Sequence, residues 1–430
     1  MADAGDGWTI RYPNYRAAVT VKNSPSSDLP PSSSDIPSSS RCIVNEFWET
    51  QPVLQFKDVN EPFTEGPILS PIPVSDVKKE PDNLPSNFEW QPIDIDDDDS
   101  LVELHRFLEN NFAEMDARAF TYSTEFLRWI LCSPGSIKSL HVGVFAKNTT
   151  KLVGFISGVP TSIRLKGEPL RVAVVNILCV HKKLRFKKLA PVLIKELARR
   201  AQLEDIWQGF YANTYISPTP FSTSYWMDRP INSKKLVDLG LVKLRQGFNT
   251  SRLNRIYKIP EVTTTRGFRR MEPADVPAVT HLLQDYLRGF WVTPEVDERF
   301  VEHYIVPKEG LVNSYVVENP ENQAITDFCS FFHRKTLIKN NPKHSELMSA
   351  ILFYYASSKT PLVRLMKDLL VMAKKDGCDL IRAHGIMGNE TFLDKLLFRL
   401  NRLGLPFNYY FYNYRLNGAL KPRALGFVAL

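Results

Sequence analysis

Apolar runs and helical stretches alternate along most of the chain. Residues 140–145, 152–158 and 172–180 are apolar runs rich in β-branched residues, and this composition predicts buried strands. Residues 190–203 place apolar side chains at helical spacing and predict a helix after the third strand. This alternation predicts a mixed α/β fold.

The second half of the chain repeats this order in a weaker form. Residues 326–332 resemble the second of these strands, and residues 361–375 resemble the helix. Each helix leads into a short apolar strand, at 206–211 and at 378–381. A repeat of this kind predicts two related α/β halves, and the threonine-rich segment 259–267 is predicted to connect them.

The beginning of the chain has a different composition. Residues 24–40 are nearly all Ser, Pro and Asp, so they cannot bury enough apolar area to offset their chain entropy. We therefore predict a disordered tail at 1–40, an N-terminal half at 41–262 and a C-terminal half at 263–430.

The acidic run at 94–99 has two interpretations. A calcium-binding EF-hand loop that starts at Asp94 would need Gly at its sixth position and Glu at its twelfth, where the chain has Asp99 and His105. Alternatively, Ser100 and Glu103 form a capping box and the acids stabilise a helix start. The second interpretation is favoured, and no metal site is predicted.

Charge and cysteine content limit the class of protein. The net charge of +7 and the pI near 9.0 suit anionic partners such as CoA phosphates, RNA or an acidic membrane, without choosing among them. The five cysteines lie far apart with no C-x-x-C spacing, which argues against a disulfide framework or a zinc site. No signal peptide and no apolar stretch of about 18 residues is evident. A cytoplasmic protein without a membrane span is expected.

The most informative segment is 174–191, where an apolar strand ends, a basic turn follows and a helix begins. Helix N-termini expose free backbone N–H groups that suit phosphate, and Arg185, Lys187 and Lys188 add full charges there. The pattern predicts a pyrophosphate cradle. The alternatives are a solvated basic turn and a nuclear-localisation or RNA-binding patch. The lack of interleaved stacking aromatics argues against RNA, and no nucleic acid partner is expected.

This segment resembles the signature of the glycylpeptide N-tetradecanoyltransferases (N-myristoyltransferases), whose usual form is N-F-L-C-V-H-K-K-L-R-S-K-R-L-A-P. Nearly everything after about residue 41 resembles this family, most of all its plant members. Further motifs match in the family's order, at 47–53 (F-W-E-T-Q-P-V), 65–68 (E-G-P-I), 84–90, 125–129 (E-F-L-R-W), 326–331, 409–414 and 425–430 (L-G-F-V-A-L).

The resemblance implies two acetyltransferase-like (GNAT-like) halves related by pseudo-two-fold symmetry, with a saddle-shaped mixed sheet surrounded by helices. It implies a monomer with myristoyl-CoA as co-substrate and no prosthetic group, acting on N-terminal-glycine peptides or nascent proteins. The residues that would contact the acyl-CoA are Asn45, Glu46, Phe47, Trp48, Ile177, Leu178, Cys179, Val180, Arg185, Phe186, Lys187, Lys188, Leu189 and Ala190.

The resemblance also implies the catalytic groups. Backbone N–H groups of Ile177 and Leu178 would polarise the thioester carbonyl, and the C-terminal carboxylate of Leu430 would deprotonate the glycine amine. Proton transfer from an amine of pKa near 8 to a terminal carboxylate of pKa about 3.5 costs about 6 kcal/mol. Burial reduces this cost, because it raises the pKa of the carboxyl and lowers that of the amine. Thiolate is already a good leaving group, so Cys179 is expected to be a packed strand residue and not a nucleophile.

Departures from the family pattern concentrate on the peptide side. The expected substrate-binding residues are Glu114, Asp116, Phe120, Asn213 and Tyr225. The Thr that would hold the substrate amine is Ala212, and a His expected to meet a substrate serine is Met227. On the CoA side, Phe186 and Lys188 replace a Ser and an Arg.

These departures leave two hypotheses, an active glycyl N-acyltransferase with unusual peptide preference and a catalytically weak acyl-CoA-binding paralogue. A lysine acetyltransferase is a third.

Overall fold

The structure is a computed structural model. It describes residues 46–59, 61–112, 114–115, 118–120, 122–214, 217–244, 249–339, 341–401 and 404–430, with the backbone alone at 114–115 and 118–120. The predicted tail at 1–40 lies outside the described residues, as do the predicted site residues Asn45 and Asp116.

Over these residues the chain forms nineteen strands and ten α-helices. The strands are β1 (Phe88–Pro92), β2 (Glu114–Met115), β3 (Arg118–Phe120), β4 (His141–Ala146), β5 (Lys151–Ser157), β6 (Val159–Leu165), β7 (Glu168–Val175), β8 (Leu178–Val180), β9 (Gln208–Asn213), β10 (Ser222–Ser224), β11 (Trp226–Pro230), β12 (Phe268–Arg270), β13 (Val292–Pro294), β14 (Val312–Glu318), β15 (Ile325–Ile338), β16 (Glu346–Ser357), β17 (Leu380–His384), β18 (Arg399–Leu400) and β19 (Phe407–Tyr412).

The α-helices are α1 (Glu46–Glu49), α2 (Asp98–Asn111), α3 (Thr124–Leu131), α4 (Leu189–Leu203), α5 (Ser233–Asp238), α6 (Thr250–Ile256), α7 (Val276–Leu287), α8 (Glu298–Tyr304), α9 (Leu362–Lys375) and α10 (Glu390–Leu393). Short 3-10 helices lie at Phe56–Asp58, Val74–Asp76, Lys138–Leu140, Lys182–Leu184, Pro273–Asp275 and Pro422–Ala424. No helix in the described part of the chain is long and apolar enough to cross a membrane.

The described strands form three sheets. A four-stranded sheet has the order β1-β4-β5-β8, and a six-stranded sheet has the order β10-β19-β9-β7-β6-β13. A nine-stranded sheet runs β12-β14-β15-β16-β17-β11-β18, with β2 and β3 attached beside β15. Together with the helices, these sheets confirm the predicted mixed α/β class.

The predicted repeat has a structural counterpart in two strand–helix–strand crossovers. In the first half β7 pairs in parallel with β9 across the α4 connection, and in the second half β16 pairs in parallel with β17 across α9. Strands from the two halves also share sheets, because β19 pairs with β9 and β11 pairs with β17. The halves therefore interlock, and their boundary at 262/263 stays a prediction.

The predicted strand at 172–180 is wrong in one respect, because the structure splits it into two strands in different sheets. β7 belongs to the six-stranded sheet and β8 to the four-stranded sheet, with Asn176 and Ile177 between them. A continuous apolar run does not reveal such a break, since both pieces are buried strands with the same composition. We call Asn176 and Ile177 the strand break.

The predicted capping box at Ser100 is also wrong. The helix begins three residues earlier, with Asp97 as its N-cap, whose side chain accepts a hydrogen bond from the Ser100 N–H at 2.8 Å. Glu103 instead accepts from the backbone N–H of Leu152 at 3.3 Å. An aspartate is as good an N-cap as a serine, so the acidic run offered several equivalent starts.

Candidate functional site

The basic turn that follows β8 has a strained backbone. Phe186 and Lys188 adopt left-handed conformations, with φ of 64° and 59°, and α4 begins at Leu189 without a side-chain cap. Runs of main-chain N–H groups in such turns, next to a helix N-terminus, form concave anion sites. The turn therefore has the backbone that phosphate binding needs.

The charges of this turn face solvent. Lys183, Lys187 and Lys188 are exposed, while Arg185 donates a hydrogen bond to the backbone carbonyl of Asn111. Phe186 is fully exposed. Three lysines and a helix N-terminus thus converge on one place, and the turn can bind a polyanion.

The strand break places one backbone N–H at an open sheet edge. Ser157 N–H donates to Ile177 O at 3.0 Å, and His181 N–H donates to Val153 O at 2.9 Å. Hydrogen bonds to β5 therefore fall on the odd-numbered residues of β8 and its extensions. The N–H of Leu178 points away from β5, and β8 is the edge strand of its sheet.

The neighbouring N–H is differently placed. Ile177 N–H faces β5 and donates to the Ser157 hydroxyl at 3.2 Å. Of the two predicted carbonyl-polarising groups, Leu178 is thus directed to the open edge and Ile177 is already engaged. Cys179 is buried, and burial raises the pKa of its thiol to about 12. Such a thiol is not a nucleophile at neutral pH.

A cavity of about 350 Å³ lies between α4 and the six-stranded sheet. We call it the helix-side cavity. Small side chains make its room, among them Ala198, Ala201 and Ala212, and Leu178 lines its wall beside the strand break. The cavity is largely apolar, and its shape and lining suit a flexible apolar ligand.

Aromatic rings close one wall of the helix-side cavity. Trp48 stacks on Tyr211 with ring centroids 5.9 Å apart, and Tyr211 stacks on Tyr410 at 4.9 Å. Asn213 lines the same cavity, and its Oδ1 is buried without a hydrogen-bond partner among the described groups. The predicted residues Trp48 and Asn213 therefore meet at this cavity.

A second cavity, of about 460 Å³, lies on the other face of the same sheet. We call it the C-terminal cavity, because Leu430 lines it. Ala173 and Val175 line the helix-side cavity and Val174 lines the C-terminal cavity, as alternation along a strand requires. Polar residues take a larger part in this lining, including Thr161, Gln284, Glu295 and Asp297.

Backbone hydrogen bonds hold the last residues of the chain in place. Met387 N–H donates to Leu425 O at 3.1 Å, and Gly426 N–H donates to Val292 O at 2.8 Å. Val428 N–H donates to the hydroxyl of Tyr354 at 3.2 Å. Leu430 is half-buried, so its end lies in the cavity wall and not in free solvent.

Gly426 is needed for this path. A Cβ at this position would lie 2.8 Å from Cγ2 of Thr293 and 3.0 Å from Cβ of Phe290. Phe427 then packs on Phe210 with ring centroids 4.6 Å apart. The glycine lets the segment approach β13 closely, and the phenylalanine anchors it to the six-stranded sheet.

Asn176 is the residue that sequence reasoning missed. It lines both cavities at the strand break, and its Nδ2 donates to Ile130 O at 3.4 Å. That bond leaves Oδ1 available as an acceptor. Asn176 is the first residue of the family signature, so the sequence did contain a signal for it. The prediction named only the backbone donors of the two residues that follow.

The strand that carries Met227, β11, pairs with β17, and the polar side chains of these two strands are packed. Asp228 is fully buried and accepts two hydrogen bonds from Arg382, at 2.6 and 2.8 Å. His384 lies against Trp226, and its Nδ1 pairs with the hydroxyl of Tyr409 at 2.8 Å. Burial, together with the charges of Arg382 and Arg334, holds the pKa of His384 well below its usual value.

The remaining predicted peptide residues are scattered. Tyr225 is 43% exposed and lies where the chain passes from β10 to β11. Glu114 lies in β2 and Phe120 lies in β3; β2 pairs with β3, and β3 pairs with β15. Tyr225 lines neither cavity.

Comparisons with known proteins cover both halves. Residues 67–224 match the family profile of the myristoyl-CoA:protein N-myristoyltransferase N-terminal domain, and 238–428 match that of its C-terminal domain. Glycylpeptide N-tetradecanoyltransferase 1 of Arabidopsis thaliana is 48% identical over 396 residues, which are 91% of each chain. The enzyme of Schizosaccharomyces pombe is 40% identical over 90% of this chain and 89% of its own.

A crystal structure of the Saccharomyces cerevisiae N-myristoyltransferase with bound myristoyl-CoA has the same fold. It superimposes with a TM-score of 0.85 at 33% identity and covers 90% of this chain and 99% of its own.

Proposed function

The chain belongs to the myristoyl-CoA:protein N-myristoyltransferase family, and we propose that it transfers a myristoyl group from myristoyl-CoA to the N-terminal glycine of proteins. It is an acyltransferase by membership of that family. One observation carries the proposal: two cavities on opposite faces of one sheet meet at Asn176, beside an outward-directed backbone N–H. Such a junction can bring an acyl donor and an amine together from two sides.

The CoA part of the donor binds the basic turn and the start of α4. Backbone N–H groups at Phe186 and Lys188 and the three lysine charges hold the phosphates, while the N–H of Lys187 donates to Leu184 O at 3.2 Å. Trp48 covers the approach to the helix-side cavity through its stack on Tyr211. The other predicted contacts, Glu46, Phe47, Val180, Leu189 and Ala190, remain part of this proposal.

The acyl chain occupies the helix-side cavity. Burying a methylene contributes about 0.8 kcal/mol, so a myristoyl tail supplies on the order of 10 kcal/mol of gross binding energy. The floor near Ala201 and Trp207 would then limit the chain length, because both side chains line this cavity.

The thioester carbonyl lies at the strand break. Leu178 N–H, at the open edge of β8, stabilises the oxyanion that forms when the amine attacks. Losing one such donor typically costs about 10²–10³ in rate. Ile177 N–H contributes only if the carbonyl competes with the Ser157 hydroxyl, which it now contacts at 3.2 Å.

The glycine amine enters from the C-terminal cavity. The Leu430 carboxylate accepts a proton from the glycine ammonium, and Asn176 Oδ1 accepts a hydrogen bond from the same amine. The neutral amine then attacks the carbonyl carbon, and the C–S bond breaks. The second amine proton passes to the departing CoA thiolate, so the products are the neutral amide and the CoA thiol. Attack is direct, because the buried thiol of Cys179 has a raised pKa.

The test is acyl transfer measured by thiol release, with myristoyl-CoA and a panel of glycine-initiated peptides. We expect turnover, and we expect it to fall by about 10²–10⁴ when one residue is added after Leu430, because the carboxylate is displaced. CoA affinity should not change in that variant. Lys421→Ala, at an exposed position in the same terminal segment, is the matched control.

A weak paralogue that binds acyl-CoA without efficient transfer is the second candidate. The observation that favours it is the internal pairing of polar groups near Tyr225: Asp228 pairs with Arg382, and His384 packs on Trp226. This candidate predicts tight myristoyl-CoA binding and no turnover with any peptide. A lysine acetyltransferase would instead prefer acetyl-CoA in the same assay.

A further inference from the structure

A second cluster of reactive side chains lies in the C-terminal half, apart from both cavities. His333 comes from β15, Asp376 follows the end of α9, and Cys378 lies two residues before the start of β17. One ligand atom from each of the three lies within 4.8 Å of the other two. None of these residues lines the helix-side cavity or the C-terminal cavity.

Two side chains of this cluster are already oriented by hydrogen bonds. Nε2 of His333 lies 2.5 Å from Oδ2 of Asp376. Asn313 Nδ2 donates to the same oxygen at 2.7 Å. Outer contacts of this kind fix the ring and the carboxylate of metal ligands. The cluster is therefore preorganised, with Asn313 as a supporting residue.

The cluster is buried except on one side. The His333 side chain is 9% exposed. Its Nε2 is the ring nitrogen that faces Asp376, so an ion shared with Asp376 would take the Nε2 lone pair and leave the ring proton on Nδ1. Asp376 is 38% exposed and gives the cluster access to solvent.

The electrostatics of the cluster suit a cation. Cys378 is 3% exposed, and its Sγ lies within 4.8 Å of a carboxylate oxygen of Asp376. The negative charge of that carboxylate favours a divalent ion, whose charge in turn stabilises a bound thiolate. Imidazole, thiolate and carboxylate together are a ligand set typical of zinc.

We propose that His333, Asp376 and Cys378 bind one Zn²⁺ ion, with a water molecule as the fourth ligand on the solvent side of Asp376. On binding, the Cys378 thiol releases one proton to solvent and its sulfur bonds to the metal. The neutral imidazole donates the lone pair of one ring nitrogen and keeps its proton on the other. Tetrahedral ligands at about 2.0 Å are roughly 3.3 Å apart, so His333 and Asp376 separate by less than 1 Å.

The ion would have a structural role. It would join the loop between α9 and β17 to the middle of β15, and so fix one side of the strand–helix–strand crossover of the second half. A bound ion stabilises the folded chain in proportion to its occupancy. This inference does not depend on the proposed acyl transfer.

The experiment uses the full chain after dialysis against a chelator, with Co²⁺ as a spectroscopic probe and Zn²⁺ in competition with a chromophoric chelator. We expect one ion per chain and a thiolate-to-cobalt charge-transfer band. Cys378→Ser should abolish that band, and Asp376→Asn should weaken Zn²⁺ binding by at least tenfold. Asp376 is partly exposed, so its variant should fold even if a His333 variant does not.

The matched controls are Cys132→Ser, which changes a partly buried thiol that also lies beside an aspartate, and His281→Asn at an exposed position. Both should bind Zn²⁺ like the unchanged protein. Absence of stoichiometric binding would overturn the proposal. So would an ion that binds Cys378→Ser and Asp376→Asn equally well, since it would then sit elsewhere on the surface.

Discussion

The helix-side cavity and the buried pair of Asp228 and Arg382 differ in how they treat polar groups. The helix-side cavity has an aromatic wall and alanines that leave room, and the polar atom Asn213 Oδ1 in its lining has no hydrogen-bond partner among the described groups. In the nine-stranded sheet, Asp228 of β11 and Arg382 of β17 are buried and hydrogen-bond to each other. The cavity thus keeps a polar atom available to a ligand, whereas the buried pair uses its polar groups internally.

The largest expected effect is a loss of stability at the buried pair of Asp228 and Arg382. Asp228→Asn leaves the Arg382 charge buried without its partner, and we expect unfolding free energy to fall by about 3–5 kcal/mol in urea denaturation. Asp285→Asn removes an exposed ion pair with Arg288, whose side chains are 66% and 76% exposed, and should cost under about 0.5 kcal/mol. A stable Asp228→Asn variant with altered peptide preference would instead indicate that the pair contributes to peptide selectivity.

Low pH should destabilise the folded protein, because His141 and His384 are buried. Burial lowers the pKa of His141, in β4, to about 4, and His384 is also held well below its usual value. The unfolded chain therefore binds more protons below about pH 6.5, and stability should fall as pH drops from 6.5 to 4. His141 alone contributes roughly 3 kcal/mol over that range.

Urea denaturation at several pH values measures this dependence. His141→Leu should have a shallower decline, while His281→Asn, at an exposed position, should follow the unchanged protein. An identical decline in all three would mean that His141 is protonated in the folded state, contrary to the expectation.

A larger side chain at the floor of the helix-side cavity tests whether the room in that cavity holds the acyl chain. Ala201→Phe should displace two or three methylenes of the acyl chain and weaken myristoyl-CoA binding by about 2 kcal/mol, or roughly 30-fold. Decanoyl-CoA and free CoA should bind as before, which titration calorimetry can check. An equal loss for all three ligands would place the acyl chain outside this cavity.

The smallest expected effect lies at the basic turn. Phe186→Ser introduces the hydroxyl of the family signature beside the proposed site of the CoA phosphates. CoA should then bind about tenfold more tightly, because a hydrogen bond to a charged group contributes about 1.4 kcal/mol. Phe186→Ala lacks that hydroxyl and should show no such gain. If Ala and Ser behave alike, removal of the exposed ring accounts for the change.

Much of the fold could be predicted because its signals are local. The helix predicted at 190–203 begins one residue earlier as α4, and the helix at 361–375 lies within one residue of α9. The strand break could not be predicted, because only the partner strands decide which sheet each piece joins. The start of α2 was missed for a related reason, since several acidic residues were acceptable caps.

The candidate site divides in the same way. The basic turn was visible as a charge cluster ahead of a helix, whereas the opposite directions of the Ile177 and Leu178 N–H groups depend on pairing with β5. The His333 cluster was invisible to cysteine spacing, because His333 comes from β15 and its two partners come from the loop between α9 and β17. The packing of Arg382 on Asp228 joins residues 154 positions apart, which no local pattern records.

The position of residues 425–428 has a consequence for how the protein responds to proteolysis. This segment bridges Val292, Tyr354 and Met387, which lie far apart along the chain. Cleavage that removes it would take away one wall of the C-terminal cavity, because Phe427 and Val428 line that cavity. On the proposed mechanism, we expect such a cut to stop acyl transfer while the pairing of the three sheets is kept.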